Sequence, residues 1–152
     1  NLDAFTALPS LVAILVDGIV PTITSITPPA DTTYIVDDTL DFVVNFDDNV
    51  TVTATPRIPL TLTSGTVYAD YLSGTGSNSI TFRYTVIAND DDADGLSIVS
   101  PLDLNGIGLI QDVNGNDSDL THTPVVTPGL IIDGIIPTVT IDATAVITNS
   151  NY

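Results

Sequence analysis

The sequence predicts an all-β fold built from short antiparallel strands, and three observations carry that expectation. The chain of 152 residues contains no Met, Cys or Trp, and neither Glu nor Lys occurs anywhere in it, so most of the strong helix formers are missing. Thr, Val and Ile, which suit a pleated and half-buried surface, stand in their place. Finally, apolar residues recur at every second position, the period of a strand rather than of a helix. The length suits one domain, and 43% hydrophobic residues supply enough material for a core.

Taken in order, the pattern predicts strands near 19–27, 38–46, 50–63, 66–72, 79–88, 107–111 and 120–132, with a crossover at 96–104. Leu40, Phe42, Val44 and Phe46 alternate with Asp41, Val43 and Asn45. Ile58, Leu60 and Leu62 repeat the rhythm, as do Ile80, Phe82, Tyr84 and Val86. Turn-forming residues separate the runs: Asp47-Asp48-Asn49, Ser64-Gly65, the stretch from Ser73 to Asn78, that from Asn89 to Gly95, and Asn114-Gly115-Asn116. About seven strands at this spacing predict an immunoglobulin-like β-sandwich, built without a disulfide or a core Trp.

One motif occurs twice. Leu15-Val16-Asp17-Gly18-Ile19-Val20-Pro21-Thr22-Ile23-Thr24 returns as Ile131-Ile132-Asp133-Gly134-Ile135-Ile136-Pro137-Thr138-Val139-Thr140, which sets Asp17 and Asp133 116 residues apart. A match of ten residues with only conservative exchanges marks the boundaries of a repeating unit. Residues 17–132 are then one unit. Residues 1–16 read as the end of a preceding unit or as a donor strand. Residues 133–152 read as a linker and the first strand of a following unit, or as a tail for a neighbour. The alternation of Phe5, Ala7 and Pro9, then of Leu11, Ala13 and Leu15, fits a strand with one buried face.

Charge narrows the function. All 19 acidic residues are Asp, against Arg57 and Arg83 as the only basic ones, for a formal charge of −17. Such a surface repels nucleic acid and anionic membrane. The lack of Cys excludes thiolate metal sites and thiol nucleophiles, and the lack of Lys excludes isopeptide cross-links and Schiff-base chemistry. His122 is the single His and is expected on the surface of the last strand, so no Ser-His-Asp triad is available. An enzyme is not expected. The longest apolar run, Leu11 to Val16, is too short to cross a bilayer.

Oxygen-bearing side chains gather where strand directions place the loops. If the first strand leaves Asp17, the turn at Asp47-Asp48-Asn49 returns to that end, as does the loop holding Asp112, Asn114 and Asn116. Asp17, Asp47, Asp48, Asp112, Asn114 and Asn116 are therefore candidate ligands for calcium, which takes six to eight oxygens. Asp133, the counterpart of Asp17 in the second copy of the motif, joins them. At the other end, Asp90, Asp92, Asp94 and Gly95 copy the spacing of the first half of an EF-hand loop. Pro101 stands where that loop requires Glu, which leaves a partial calcium loop. For any single Asp, simple turn duty is the competing explanation.

The chain resembles the Ig-like repeats of giant bacterial surface adhesins of the biofilm-associated and RTX types. The residues that carry the likeness are Val16 to Thr22, Phe46 to Pro56 with Leu60-Thr61-Leu62, Ala69 to Gly76 leading into Ile80 to Val86, and Asp112 to Asn116. Ala54 and Asp48 depart from the usual Gly and Glu. The resemblance implies a structural repeat in an extracellular adhesin or fibre on a bacterial surface, with calcium at the junctions and neighbouring repeats as partners. An alternative is a cell-surface filament subunit whose copies join head to tail by donating the spare end segments as strands.

Overall fold

The computed structural model describes residues 16–140. About half of these lie in strands, and no helix occurs among them. The segments expected to act as spare strands, 1–15 and 141–152, lie outside the described residues.

Eleven strands occur rather than seven. They are β1 (Ile23–Thr27), β2 (Thr33–Ile35), β3 (Thr39–Thr53), β4 (Arg57–Leu62), β5 (Gly65–Ser73), β6 (Ser77–Thr85), β7 (Asp91–Asp92), β8 (Ser97–Ile98), β9 (Leu109–Gln111), β10 (Val125–Val126) and β11 (Ile131–Asp133). The main sheet runs β1-β3-β6-β5-β4-β8-β10, with β9 also paired to β3, and it nearly closes on itself. A second sheet, ordered β2-β11-β7, pairs β11 in parallel with β2 and antiparallel with β7.

The period of two is expressed as burial. Leu40, Phe42 and Val44 on β3, Ile58 and Leu60 on β4, and Ile80 and Phe82 on β6 are fully buried. These join Leu96, Ile98, Leu130 and Ile132 in one continuous core. Phe42 and Phe82 face each other across β3 and β6, and Tyr71 of β5 meets Phe82 edge-on at 6.1 Å. Burying an aromatic or aliphatic side chain of this size contributes roughly 1.5–3 kcal/mol, so these strands stabilise the unit through their inward face.

Three expectations are corrected. Asp47-Asp48-Asn49 does not turn the chain back. Between Asn45 (opposite Ser79) and Val50 (opposite Ser77) the residues of β3 bulge outward, and the strand continues to pair Thr51–Thr53 with β9. Turn-forming residues accommodate a bulge as readily as a reversal, and the open edge of β9 rewards continuation. The expected strand at 50–63 is instead broken at Ala54-Thr55-Pro56, where Ala54 takes φ +56° and Pro56 cannot donate to a ladder. The expected strand at 120–132 is reduced to β10 and β11, because Pro128-Gly129 interrupts it. His122 accordingly lies outside any strand, half-buried, with Nδ1 2.9 Å from the Thr123 carbonyl.

Both arginines are engaged within the sheets. Arg83 of β6 donates two hydrogen bonds of 2.6 Å to Asp41 of β3, its cross-strand partner. Arg57 donates to Asp103 at 2.8 Å and stacks over the ring of Tyr68 at 3.8 Å. Exposed pairs of this kind contribute at most about 1 kcal/mol each, so the core and not the charge holds the fold.

Replacing Phe82 by Ala leaves a cavity at the meeting point of three strands. The expected cost is about 3–5 kcal/mol, read as a lower urea midpoint with an unchanged slope. A loss under 1 kcal/mol would mean that Phe82 is not at the centre of the core.

Candidate functional site

The sheet directions define two ends. At the entry end lie Thr22, the bulge of β3 and the loop after β9; at the exit end lie the start of β3, β7 and β11.

The entry-end loop is organised by Asp112, which is only 3% exposed. Its Oδ1 accepts the backbone N–H groups of Asn114 and Asn116, both at 2.8 Å, and its Oδ2 accepts the Asn116 amide at 2.7 Å. Gly115, at φ +89°, supplies the left-handed residue this tight loop needs. Donation from the Asn116 side chain, then from the loop backbone, holds the Asp112 carboxyl below its usual range, so it stays ionised.

Asp17 sits against this loop. Its Oδ2 accepts the Asn114 amide at 2.6 Å, and the Asn116 amide reaches the carbonyls of Asp17 and Ile19 at 3.4 and 3.5 Å. Downstream, Asp119 N–H donates to the Pro21 carbonyl at 2.8 Å. Asp47, in the bulge, accepts both the backbone N–H of Thr22 at 2.8 Å and its hydroxyl at 2.6 Å. Those two bonds from Thr22, the hydroxyl foremost, lower the Asp47 pKa. Asp48 accepts its neighbour's N–H, from Asn49 at 2.7 Å, and lines a groove with Val113. Asp17, Asp112, Asn114 and Asn116 are thus joined directly, Asp47 is joined through Thr22, and Asp48 lies at the margin.

The exit end uses its aspartates differently. Asp90 turns inward, 5% exposed, and its Oδ2 accepts the Tyr84 hydroxyl and the Ile87 N–H, the latter at 2.8 Å. Burial, and then the Asp90 carboxylate, push the Tyr84 hydroxyl pKa up. Asp92 is 2% exposed and caps the turn through the N–H of Gly95 at 3.2 Å. Asp92 and Asp94 both approach the Thr63 hydroxyl, at 3.5 and 3.4 Å. Burial first, and a hydrogen bond shared with Asp94 second, raise the Asp92 pKa. Asp133 lies opposite Asp91 in the second sheet and accepts the N–H of Ile135 at 3.3 Å. Asp90 is therefore bonded to the core side of its loop, apart from the Asp92–Asp94 pair.

Among the described residues, no three carboxylates or imidazoles converge closely enough to form a metal-binding group on their own. What the entry end offers is a mixed set, two carboxylates and two carboxamides, linked by hydrogen bonds. An Asn carboxamide presents nitrogen or oxygen depending on its rotation, so the donor chemistry fits a hard cation that prefers oxygen. Sequence reasoning missed Thr22 as the partner of Asp47, and Asn89, whose N–H donates to the Gly134 carbonyl at 3.0 Å. Thr22 was within reach, because it recurs as Thr138 in the second copy of the motif.

Comparison with protein-family models, with curated proteins and with solved structures finds no match for this chain.

The raised pKa of Asp92 makes a signed prediction. Its contribution is intact below the ordinary carboxylate pKa and is lost as pH rises through the higher folded value. Above the ordinary carboxylate range, burial makes this acid a cost to the folded state. Asp92→Asn removes the charge and keeps an acceptor for Gly95, so it should raise the melting temperature at pH 7 by a few degrees. The gain should vanish by pH 3. An equal gain at both pH values would show that packing, not ionisation, is responsible.

Proposed function

We propose that the chain is a structural repeat of an extracellular bacterial adhesin or fibre, an immunoglobulin-like sandwich set end to end with like units and stiffened by calcium at the junctions. One observation carries this reading: the two copies of the motif lie at opposite ends of the unit. The chain enters beside Asp112 and leaves beside Asp91, so a further unit begun at the second copy continues in the same direction. The resemblance of the loops and strands to adhesin repeats supports it. So does the engagement of both arginines in ion pairs, which leaves the surface strongly acidic and unsuited to nucleic acid.

Calcium would be held at the entry end by Asp17, Asp112, Asn114 and Asn116, with Asp47 and Asp48 beside them. It would neutralise carboxylates that otherwise repel one another. Because it binds only the folded arrangement, it would also stabilise that arrangement by mass action. Asp90, Asp92, Asp94 and Asp133 are the second candidate set, at the exit end, where Asp90 is bonded to Tyr84 and Ile87.

The test is thermal melting in EDTA and in millimolar calcium, with a sodium control at equal ionic strength and particle size followed by light scattering. Calcium at about a hundred times its dissociation constant adds roughly 2.7 kcal/mol, which raises the melting temperature of a domain this size by on the order of 10 °C. No rise beyond the sodium control removes calcium and leaves an acidic spacer. A monomer in both buffers agrees with a tandem repeat. Growth into filaments would replace it with the strand-donating subunit.

A further inference from the structure

The two copies of the motif share one turn. In each, the Asp carboxylate accepts the N–H two residues on, Ile19 to Asp17 at 3.1 Å and Ile135 to Asp133 at 3.3 Å. Beyond that turn they are engaged differently. The first copy is held by a loop later in the chain: Asn114 and Asn116 bond the Asp17 carboxylate and the carbonyls of Asp17 and Ile19, while Asp119 bonds the Pro21 carbonyl. The second copy is held by strand pairing, with Ile132 and Asp133 of β11 between β2 and β7, and by a loop earlier in the chain. Gly134 N–H donates to the Asp90 carbonyl at 2.7 Å, and Asn89 N–H donates to the Gly134 carbonyl.

These two sets of partners use different groups. The loop after β9 takes the Asp side chain and the carbonyls of Asp, Ile and Pro. The loop before β7 takes the N–H and carbonyl of Gly. One motif can therefore satisfy both at once. Exposure is complementary at three positions, while Ile19 and Val20 are exposed like their counterparts Ile135 and Ile136. Gly134 and Ile132 are buried while their counterparts Gly18 and Val16 are exposed, and Pro21 is buried while Pro137 is exposed. The glycine makes the point sharply. A Cβ on Gly134 would stand 2.5 Å from the Ile87 carbonyl oxygen and 2.8 Å from that of Asp90, whereas one on Gly18 meets no described atom within 4 Å. Neither glycine has a positive φ. Among the described residues, the contact that demands glycine is made by the second copy.

We propose that each copy of the motif is a two-sided junction piece, gripped from before by the loop 87–90 of one unit and from after by the loop 112–116 of the next. The occupant of the exposed surface at Pro137 is the entry end of a second copy of this unit in the same chain, which covers Pro21 in the first copy while Ile19 and Val20 stay exposed beside it. The inference rests on the tandem-repeat reading and adds to it the surfaces that meet. It also fixes the relative orientation of consecutive units, because the motif is short and held on both sides.

The test is a two-unit chain, residues 1–132 followed directly by 17–152, so that one motif lies between the units. The protein has no Cys, so spin labels can be placed uniquely at exposed Val126→Cys in the first unit and Ile107→Cys in the second, outside both gripping loops. One narrow distance distribution is expected by pulsed electron resonance. Asn114→Ala with Asn116→Ala in the second unit should broaden it and leave the melting of the first unit unchanged. Gly→Ala in the central motif should broaden it and lower that melting temperature by several degrees, while Gly18→Ala at the first motif should do neither. A broad distribution in a chain whose two units both melt cooperatively overturns the junction and leaves the repeat reading standing. Failure of the second unit to fold, or assembly into filaments, overturns the repeat reading itself.

Discussion

Strand β3 is the constraint on which the rest of the molecule depends. Its first half places Leu40, Phe42, Val44 and Phe46 in the core and pairs on both sides, with β1 and with β6. Its second half pairs with β9 and so carries the chain toward the edge of the unit. The bulge between the halves lifts Asp47 to the backbone of Thr22, and the pairing with β9 sets the position of the Asp112 loop. The entry end is thus a consequence of one strand that is too long to be straight. Bulges strengthen local twist and redirect side chains, and here the redirected side chains are the acidic ones.

A chain with 19 carboxylates and two cations must stabilise its acids by other means. It does so mostly with N–H and O–H donors. Asp112 takes two backbone amides and a carboxamide, Asp47 takes Thr22 twice, and Asp119 takes the N–H and hydroxyl of Thr121. Hydrogen bonds to an ionised acceptor are roughly twice as strong as neutral ones, and they lower the pKa of each group. These groups add stability above the ordinary carboxylate range and lose it as pH falls through their depressed values. Asp92 runs the other way, because burial outweighs its donors. The molecule therefore contains acids tuned in both directions, and which direction each takes depends on whether burial or the donors its loop supplies weigh more.

The inward faces of the longer strands were legible in the sequence because alternation is a property of the residues themselves. Leu40 to Phe46, Ile58 to Leu62 and Ile80 to Tyr84 needed no tertiary information. The short strands were not legible. β2, β7, β8 and β10 have two or three residues each, and they exist because a neighbour offers a ladder, not because their residues demand one. The bulge was misread for a related reason: Asp-Asp-Asn suits a reversal and a bulge equally, and only the presence of β9 selects the second. Within the candidate site, the grouping of Asp17 with Asp112, Asn114 and Asn116 came from strand direction and from the repeat. The inward turn of Asp90 did not, because nothing in a run of acids says which of them will meet a tyrosine hydroxyl beneath the loop.

The repeated motif draws these threads together. A residue shared by two copies within one chain carries the requirements of both places, and a single unit displays only one set at each end. Among the described residues, Asp17 has its carboxamide partners and lacks a tight neighbour at its glycine; Gly134 has that neighbour, while the Asp133 carboxylate bonds within its own turn. Each end alone looks under-determined, with a glycine that needs no freedom or an aspartate with little to hold. Set together, the two halves account for Asp, Gly and Pro in one short segment. The acid receives amides from the loop ahead, the glycine admits the loop behind, and the Pro carbonyl receives Asp119. On the junction proposed above, the sequence of the linker would be dictated by packing on two sides, which is the same rule that dictates the sequence of a core.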